Sequence, residues 1–319
     1  MILSPKYREF LCYEARVEVL EGTTFAGKTT VGVIKLMLRI AESTKRFHII
    51  SGLDLGTLEK NIINQDYGIL DIFDGLVSYR PNGGNGISMP HISYRTPNGE
   101  KIIYVLGYDN KARWKKALGG QYGCVYIDEA NVADMDFVRE VAIRYDYLMM
   151  TLNPDDPALP IYEEYINHCR PLPEWQNETP RELLEQLDQE AYPGWVHWYF
   201  TFDHNASLTV EKRTQLLMGT AKGTKLYKNK IQGLRGRATG LIFDLRKEHI
   251  ITQLEAKKHQ FLLFSAGVDT AYSQQSADTF SFVISGITAD GKKITLAERV
   301  YNNRDLPRPL SPVISRRCW

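Results

Sequence analysis

The chain has 319 residues, of which 43% are hydrophobic and 24% are charged, and its formal net charge is +1 at pH 7. This composition is typical of a globular protein, and the length suits about two domains. The balanced charge excludes a uniformly basic surface, so any nucleic-acid binding would depend on a local patch. No apolar run reaches the length of about 18 residues that a membrane helix needs. The four cysteines show no C-x-x-C or metal-ligand spacing. We therefore expect a cytoplasmic protein with free thiols and no membrane partner.

The first motif along the chain is a glycine loop between a predicted strand and a predicted helix. Residues 15–20 form a β-rich apolar run, and residues 30–40 carry at helical spacing Val33, Ile34, Met37 and Leu38. The loop from Gly22 to Thr29 fits the pattern G-x-x-x-x-G-K-[ST] at every position. Backbone N–H groups of such a loop and the positive end of the helix dipole bind phosphate. A Gly/Thr-rich turn is the alternative, and the flanking strand and helix disfavour it.

This loop predicts a site for ATP and Mg²⁺. The Lys28 ammonium would contact the β- and γ-phosphates, and the Thr29 hydroxyl would bind Mg²⁺. No N-K-x-D motif, with which G proteins recognise their base, is present in the sequence. The residues expected to contact the nucleotide are Gly22, Thr23, Thr24, Phe25, Ala26, Gly27, Lys28, Thr29 and Thr30.

The second part of the predicted site follows the end of a buried strand. Residues 47–50 and 102–106 predict two strands, and an apolar run at residues 124–127 ends at Asp128-Glu129. Asp128 would orient Mg²⁺ and Glu129 would polarise the attacking water, unless the two acids only begin a helix. The intervening strand at residues 102–106 and the glutamate favour the additional-strand, catalytic-glutamate class of ATPases. We predict an α/β fold with a mostly parallel sheet.

The second half of the chain is less regular. Residues 147–152 predict a strand that ends at Asn153, and residues 181–189 predict a helix. Residues 222–237 are rich in Gly, Lys and Arg, which indicates a linker or hinge and a candidate DNA contact. Three further strands are predicted at residues 261–268, 280–284 and 293–300. The predicted division is an ATPase domain at 1–200, a linker or hinge subdomain at 201–256, the start of a second α/β domain at 257–303, and a non-fitting tail at 304–319.

Three further segments, taken in chain order, make a family resemblance specific. They are residues 113–131, residues 151–157 and residues 267–273. Together they resemble the large terminase subunit of tailed bacteriophages, in the PBSX-like branch, over about residues 10–302. The resemblance implies an ATP-driven motor that pumps double-stranded DNA into a procapsid. It also implies a homo-oligomeric ring on the portal protein, a terminase small subunit as partner, and the host cytoplasm as location. This chain has Thr24 where many members carry arginine.

The resemblance also implies roles for individual residues. Thr151 and Asn153 would form the coupling motif that senses loss of the γ-phosphate, although a turn at the strand end is the alternative. Arg113, Lys115 and Lys116 lie just before the Asp128 strand. One of these three could serve as an arginine-finger-type group, in cis or in trans, or could contact DNA phosphates. A solvated basic turn explains them equally well.

The last domain is expected to be an RNase H-like nuclease by the same resemblance. Such enzymes cut DNA with two metal ions, here Mg²⁺ or Mn²⁺, held by several convergent carboxylates. Asp269 fits the first ligand, and Asp278 and Glu298 are further candidates. For Asp278 a role in a turn is the alternative, and for Glu298 an exposed position on an edge strand. The remaining ligands of the family lie beyond the end of this sequence. We therefore expect an incomplete domain with weak or absent nuclease activity.

Overall fold

The computed structural model describes residues 2–117, 119–236, 249–270 and 279–302. The chain divides into two compact units, Met1–Gly240 and Leu241–Trp319. The domain boundaries expected from the sequence at residues 200 and 256 stay predictions. None of the helices within the described ranges has the length and apolar character that crossing a membrane requires.

The first unit contains an eight-stranded sheet. Its strands are β1 (Val17–Gly22), β2 (Phe47–Gly52), β3 (Val77–Arg80), β4 (His91–Thr96), β5 (Gly99–Gly107), β6 (Tyr122–Ile127), β7 (Tyr145–Leu152) and β8 (Trp195–Phe200). Their order across the sheet is β3-β4-β5-β2-β6-β7-β1-β8. Every neighbouring pair from β5 to β8 is parallel, whereas β4 pairs antiparallel with β3 and β5. This topology confirms the mostly parallel α/β sheet predicted from the sequence.

One strand separates the glycine-loop strand β1 from the Asp128 strand β6. This strand is β7, which follows β6 in the chain but lies between β1 and β6 in the sheet. The strand predicted at residues 102–106 belongs to β5, which lies on the far side of β2. An additional strand is therefore inserted between the two motif strands, but it is not the one that precedes Asp128 in the chain.

The helices of this unit are short except for the one that follows the glycine loop. They are α1 (Pro5–Cys12), α2 (Lys28–Glu42), α3 (Leu55–Leu58), α4 (Ile69–Ile72), α5 (Lys111–Ala117), α6 (Met135–Val141), α7 (Pro160–Glu164), α8 (Arg181–Gln186) and α9 (Val210–Met218). Two turns are π-helical, Glu59–Ile63 and Tyr227–Ile231. Short 3-10 helices are Ala130–Val132, Ile166–His168, Pro173–Glu178 and Phe202–His204.

The longest helix, α2, buries a face that differs slightly from the predicted one. Leu36 and Met37 are fully buried, as helical spacing requires for a helix packed on a sheet. Leu38 is 45% exposed, whereas Lys35, which interrupts the apolar pattern in the sequence, is 1% exposed. The Lys35 ammonium lies 2.7 Å from a carboxylate oxygen of Glu18 on β1. A buried ion pair therefore joins α2, which follows the glycine loop, to β1, which precedes it.

Apolar side chains cover both faces of the sheet. On one face Leu20 packs in a cluster with Phe10 of α1. On the other face Val19 and Ile127 pack in a cluster with Phe137 of α6. Val19 and Leu20 lie in opposite layers because successive side chains of a strand point to opposite faces. Burial of each large apolar side chain contributes about 1.5–3 kcal/mol, so the strands that carry the motif residues are held firmly in place.

β8 is a strand that the sequence analysis missed. The segment from Trp195 to Phe200 consists mostly of aromatic and β-branched residues, which favour strands. It pairs in parallel with β1 and places Phe200 beside Gly22. Part of the segment interpreted as a linker also packs on this unit, because the Tyr199 hydroxyl donates a hydrogen bond to the Gln232 carbonyl at 3.1 Å.

The second unit contains α10 (Gln253–Ala256) and three strands, β9 (Phe261–Thr270), β10 (Thr279–Thr288) and β11 (Lys293–Asn302). They form an antiparallel sheet in the order β11-β10-β9. The three strands lie where the sequence predicts them, with longer bounds. The assignment of this unit to an RNase H-like fold stays a prediction.

Candidate nucleotide-binding site

The polar residues of the candidate site follow the C-terminal ends of three adjacent strands, β1, β7 and β6. Ligands of parallel α/β sheets bind at this edge. Residues of the glycine loop, the acid pair and the end of β7 meet there around one cleft of about 380 Å³. The cleft is lined by Thr24, Phe25, Ala26, Gly27, Lys28, Thr29, Thr30, Asn61, Gln65, Asp128, Glu129, Thr151, Leu152, Asn153 and Asn205.

The glycines of the loop occupy positions that other residues would strain. Gly22 has φ 149°, and a Cβ atom there would lie 1.7 Å from the Phe200 carbonyl oxygen. Gly27 has φ 92° and stands immediately before α2. Both backbone angles lie in the region that glycine adopts without steric cost. The loop conformation therefore depends on both glycines of the motif, one for close packing against β8 and one for the turn into α2.

Three distant segments hold the loop by hydrogen bonds. The Tyr7 hydroxyl of α1 donates to the Ala26 carbonyl at 2.9 Å. The Asn205 side chain donates to the Phe25 carbonyl at 2.7 Å. The Thr24 N–H donates to the Lys230 carbonyl at 2.9 Å. The loop is thus fixed from outside the motif as well as by its own glycines.

Lys28, the first residue of α2, is buried at the base of the cleft. Its ammonium donates hydrogen bonds to the Gly22 carbonyl at 3.1 Å, to the Thr23 carbonyl at 2.6 Å and to Asn153 Oδ1 at 3.1 Å. Burial lowers the pKa of Lys28 to about 7, although the nearby carboxylates of Glu21 and Asp128 oppose the shift. A cation held this way suits an anionic ligand, because phosphate oxygens would stabilise its charged form.

Asp128 lies at the end of β6 and is 5% exposed. Its Oδ1 accepts hydrogen bonds from Thr151 Oγ1 at 2.6 Å and from the Tyr126 hydroxyl at 3.1 Å. Burial raises the pKa of Asp128, and the hydrogen bond from Thr151 opposes that shift. Thr29 Oγ1 lies 3.5 Å from Asp128 Oδ1. Both are oxygen atoms of the kind that Mg²⁺ prefers as ligands, so Thr29 and Asp128 are the residues that would hold such an ion.

Glu129 has an unusual backbone conformation for a glutamate. Its φ is 49°, in the left-handed region, and it precedes the 3-10 helix Ala130–Val132 without capping it through its side chain. Such strained positions cost about 1–3 kcal/mol and cluster at functional sites. The interpretation of Asp128-Glu129 as a mere helix beginning therefore explains less than a role in the cleft, which Glu129 lines half-buried.

The end of β7 contacts both motif residues at once. Thr151 bonds Asp128, and Asn153 bonds Lys28. The Tyr126 hydroxyl lies 3.1 Å from Thr151 Oγ1 and completes the buried network. These contacts connect the predicted coupling residues directly to the Lys28 ammonium and to the Asp128 carboxylate, beyond what a strand-end turn requires.

Sequence analysis missed a buried ion pair directly before the loop. Arg235 donates to both carboxylate oxygens of Glu21, from Nε at 2.9 Å and from Nη2 at 2.8 Å. His197 Nε2 lies 2.9 Å from Glu21 Oε2. Burial raises the pKa of Glu21, but Arg235 and then His197 outweigh it and lower the pKa to about 2. More than 200 residues separate Arg235 from Glu21, so no local pattern could have indicated this pair.

The basic band at residues 222–237 is only partly available for DNA. Arg235 is 1% exposed, and Arg237 lies outside the described residues. Lys225 lies 2.5 Å from Asp155, and Lys228 lies 2.7 Å from Glu182. Arg235 is therefore not available for the predicted DNA contact, which stays a prediction for the other basic residues of the band.

The remaining predicted site residues lie on α5 and in the second unit. Lys115 and Lys116 are exposed on α5, and the Arg113 side chain lies outside the described residues. In the second unit, Asp269 pairs with Ser281 and Glu298 with Val283, on the two outer strands. Asp278 lies outside the described residues. Within the described ranges, no three His, Cys, Asp or Glu residues form a group that could hold a metal ion.

Solved structures with a similar fold are large terminases. The large terminase from a thermophilic bacteriophage has a TM-score of 0.57 and 17% identity, covering 100% of this chain and 73% of that one. The complex of that terminase with ADP has a TM-score of 0.55 at 17% identity, with coverage of 99% and 73%. Its complex with ATP-gamma-S has a TM-score of 0.54 at 16% identity, with coverage of 99% and 72%. No protein-family model and no curated protein matches the sequence. At these identities the likeness establishes the fold, which is that of a large terminase.

Proposed function

We propose that this chain is the ATP-hydrolysing motor subunit of a phage DNA-packaging terminase. The observation that carries the proposal is the convergence of Lys28, Thr29, Asp128, Glu129 and Asn153 on one cleft at the C-terminal edge of the sheet. These residue types supply a phosphate-binding cation, oxygen ligands for a metal, a carboxylate base and a polar sensor. The fold shared with the large terminase of the thermophilic phage supports the same assignment.

Each residue has a distinct part in the proposed reaction. The loop amides and Lys28 bind the β- and γ-phosphates of ATP, and Glu129 accepts a proton from the attacking water. Thr29 and Asp128 would hold Mg²⁺, which supplies charge neutralisation on the phosphate oxygens when bound. Asn153 contacts Lys28 directly, so loss of the γ-phosphate would change the hydrogen bonds at the end of β7. The nucleoside would lie at the end of the cleft away from Asp128 and Glu129, beside Phe25 and Asn205.

The proposed partners follow from the same assignment. They are double-stranded DNA, the terminase small subunit, the portal protein of the procapsid, and further copies of this chain in a ring on the portal. The place of action would be the host cytoplasm. Lys115, Lys116 and Arg113 on α5 stay candidates for a finger in cis or in trans or for DNA contact, because this helix directly precedes β6.

A nuclease role for the second unit is a separate part of the proposal. Asp269 and Glu298 would contribute to a site for Mg²⁺ or Mn²⁺, and two-metal cleavage needs additional carboxylates beside them. We expect cutting of duplex DNA to be weak or absent. Robust Mn²⁺-dependent cleavage that is abolished by Asp269→Ala would contradict this expectation.

The decisive experiment measures ATP hydrolysis by the purified chain with and without linear double-stranded DNA. We expect DNA-stimulated turnover that Glu129→Gln lowers by about 100-fold or more, because general bases contribute roughly 10²–10⁴ in rate. Stimulation by single-stranded DNA in preference to duplex would indicate a helicase-like ATPase instead. Nucleotide binding without turnover, with or without DNA, would indicate a non-catalytic packaging component.

A further inference from the structure

One part of the cleft wall carries two carboxamides that no sequence motif marks. Asn61 lies on the π-helical turn Glu59–Ile63, and Gln65 follows it by four residues. Both side chains are half-buried and line the cleft together with Glu129. Among the described residues, neither side chain has a hydrogen-bond partner, unlike Asn153 and Asn205, which hold the loop and its lysine.

The backbone that presents Asn61 is irregular and firmly anchored. The Asn64 N–H donates to the Glu59 carbonyl at 2.8 Å, five residues back, which is the π-helical bond. Ile62 and Ile63 are both fully buried. The Tyr79 hydroxyl donates to Glu59 Oε1 at 2.7 Å. Single π-helical turns are rare and occur frequently at functional sites, and this one fixes the position of a polar residue on the cleft wall.

The topology places this wall beside the strand end that carries Asp128 and Glu129. The turn follows β2 and α3, and β2 neighbours β6, which carries Asp128 and Glu129. Tight packing connects the two strand ends, because a Cβ atom on Gly52 would lie 2.7 Å from Leu58 and 3.6 Å from Asp128 Cβ. The opposite end of the cleft, beside β1 and β8, carries the candidate nucleoside contacts. A residue on the β2 side therefore faces the reacting end of ATP.

We propose that the Asn61 carboxamide contacts the attacking water and the γ-phosphate and so orients the water for Glu129, with Gln65 as a second contact. This inference rests on the proposed ATPase function. A carboxamide suits the task because its oxygen accepts a hydrogen bond from water while its NH₂ group donates to a phosphate oxygen. Proton transfer still goes to Glu129, and the bond between the γ-phosphorus and the bridging oxygen breaks as the water oxygen attacks.

The test compares steady-state ATP hydrolysis by the wild-type chain and by Asn61→Ala, with Asn64→Ala as the matched control. Asn64 is the same residue type and directly follows the same turn, but it is exposed and lies outside the cleft lining. We expect Asn61→Ala to lower kcat by about 10- to 100-fold with KM changed less than about threefold, as for loss of one positioned hydrogen-bonding group in a transition state. Asn64→Ala should retain wild-type kcat. Thermal melting of each variant checks that the fold is intact.

Two further variants keep the proposal open to refutation. Asn61→Asp preserves the shape but replaces the donor with a negative charge beside the triphosphate, so it should be at least as impaired as Asn61→Ala. Gln65→Ala should show a smaller loss in kcat. Unchanged kcat in Asn61→Ala, while Glu129→Gln is inactive, would overturn this inference and leave the proposed function standing. A changed preference for ATP over GTP in Asn61→Ala would also overturn it, because the residue would then contact the base. No turnover by the wild-type chain would refute both.

Discussion

Protonation of Lys28 should accompany nucleotide binding. Burial of the Lys28 ammonium lowers its pKa to about 7. Phosphate oxygens favour the charged form, so bound nucleotide restores a pKa well above neutrality. With a pKa of about 7, the neutral fraction of the Lys28 side chain is roughly 0.9 at pH 8 and about 0.1 at pH 6. Binding should therefore take up about 0.9 proton at pH 8 and about 0.1 proton at pH 6.

The same linkage predicts how affinity depends on pH. Each proton taken up makes binding weaker as pH rises, so this group alone should lower nucleotide affinity by about tenfold between pH 6 and pH 8. Isothermal titration calorimetry in buffers of different ionisation enthalpy measures the proton number directly. The nucleotide is ADP or a non-hydrolysable ATP analogue. The control is Lys28→Arg, because a guanidinium stays charged at every pH in this range.

Equal proton uptake by the wild-type chain at pH 6 and at pH 8 would show that Lys28 does not titrate in this range. Equal uptake by wild type and Lys28→Arg at pH 8 would assign the proton to another group. Either result would mean that the hydrogen bonds from Lys28 to Gly22, Thr23 and Asn153 keep the amine charged despite its burial.

Three other perturbations test the buried polar network around the loop. Arg235→Met should destabilise the chain by about 3–5 kcal/mol in reversible denaturant unfolding, because it leaves the buried Glu21 carboxylate without the guanidinium that pairs with it. A loss below about 1 kcal/mol would contradict this. Stability from Glu21, about 3 kcal/mol for a pKa lowered from 4.5 to about 2, should be present above pH 4.5 and disappear as pH falls towards 2. Thr151→Val removes a hydrogen bond that opposes the raised pKa of buried Asp128, so the acid limb of the ATPase pH profile should move to higher pH. An unmoved limb would contradict this.

The glycine loop and the acid pair were predictable because their signals are local. A strand, eight motif residues and a helix follow one another from β1 to α2, and Asp128 directly ends an apolar run. The order of strands was only partly predictable. β7 lies between β1 and β6, where parallel pairing on both sides satisfies its backbone hydrogen bonds. The order of the strands in the chain does not indicate this position.

The remaining contacts depend on residues that meet only through the fold. Arg235 reaches Glu21, Asn205 reaches the loop, and Asn61 reaches the cleft from a π-helical turn. Each is a common residue type without a motif of its own, and its position depends on packing of distant segments. Lys35 is a further example, because this charged residue in an apolar pattern is buried only where Glu18 lies beside it and neutralises its charge.

Whether protons are taken up or released when nucleotide or Mg²⁺ binds can show which residue of the site titrates. Glu21 stays ionised near neutral pH because Arg235 outweighs its burial, and burial lowers the pKa of His197 so that the ring stays neutral there. Lys28 and Asp128 remain, and they act in opposite directions. Phosphate binding adds a proton to Lys28, whereas a metal ion displaces any proton that burial keeps on Asp128. Proton uptake with ADP alone should therefore fall when Mg²⁺ is added, and it should fall further in Thr151→Val, where Asp128 has lost its strongest hydrogen bond. An uptake that rises when Mg²⁺ is added would contradict this assignment.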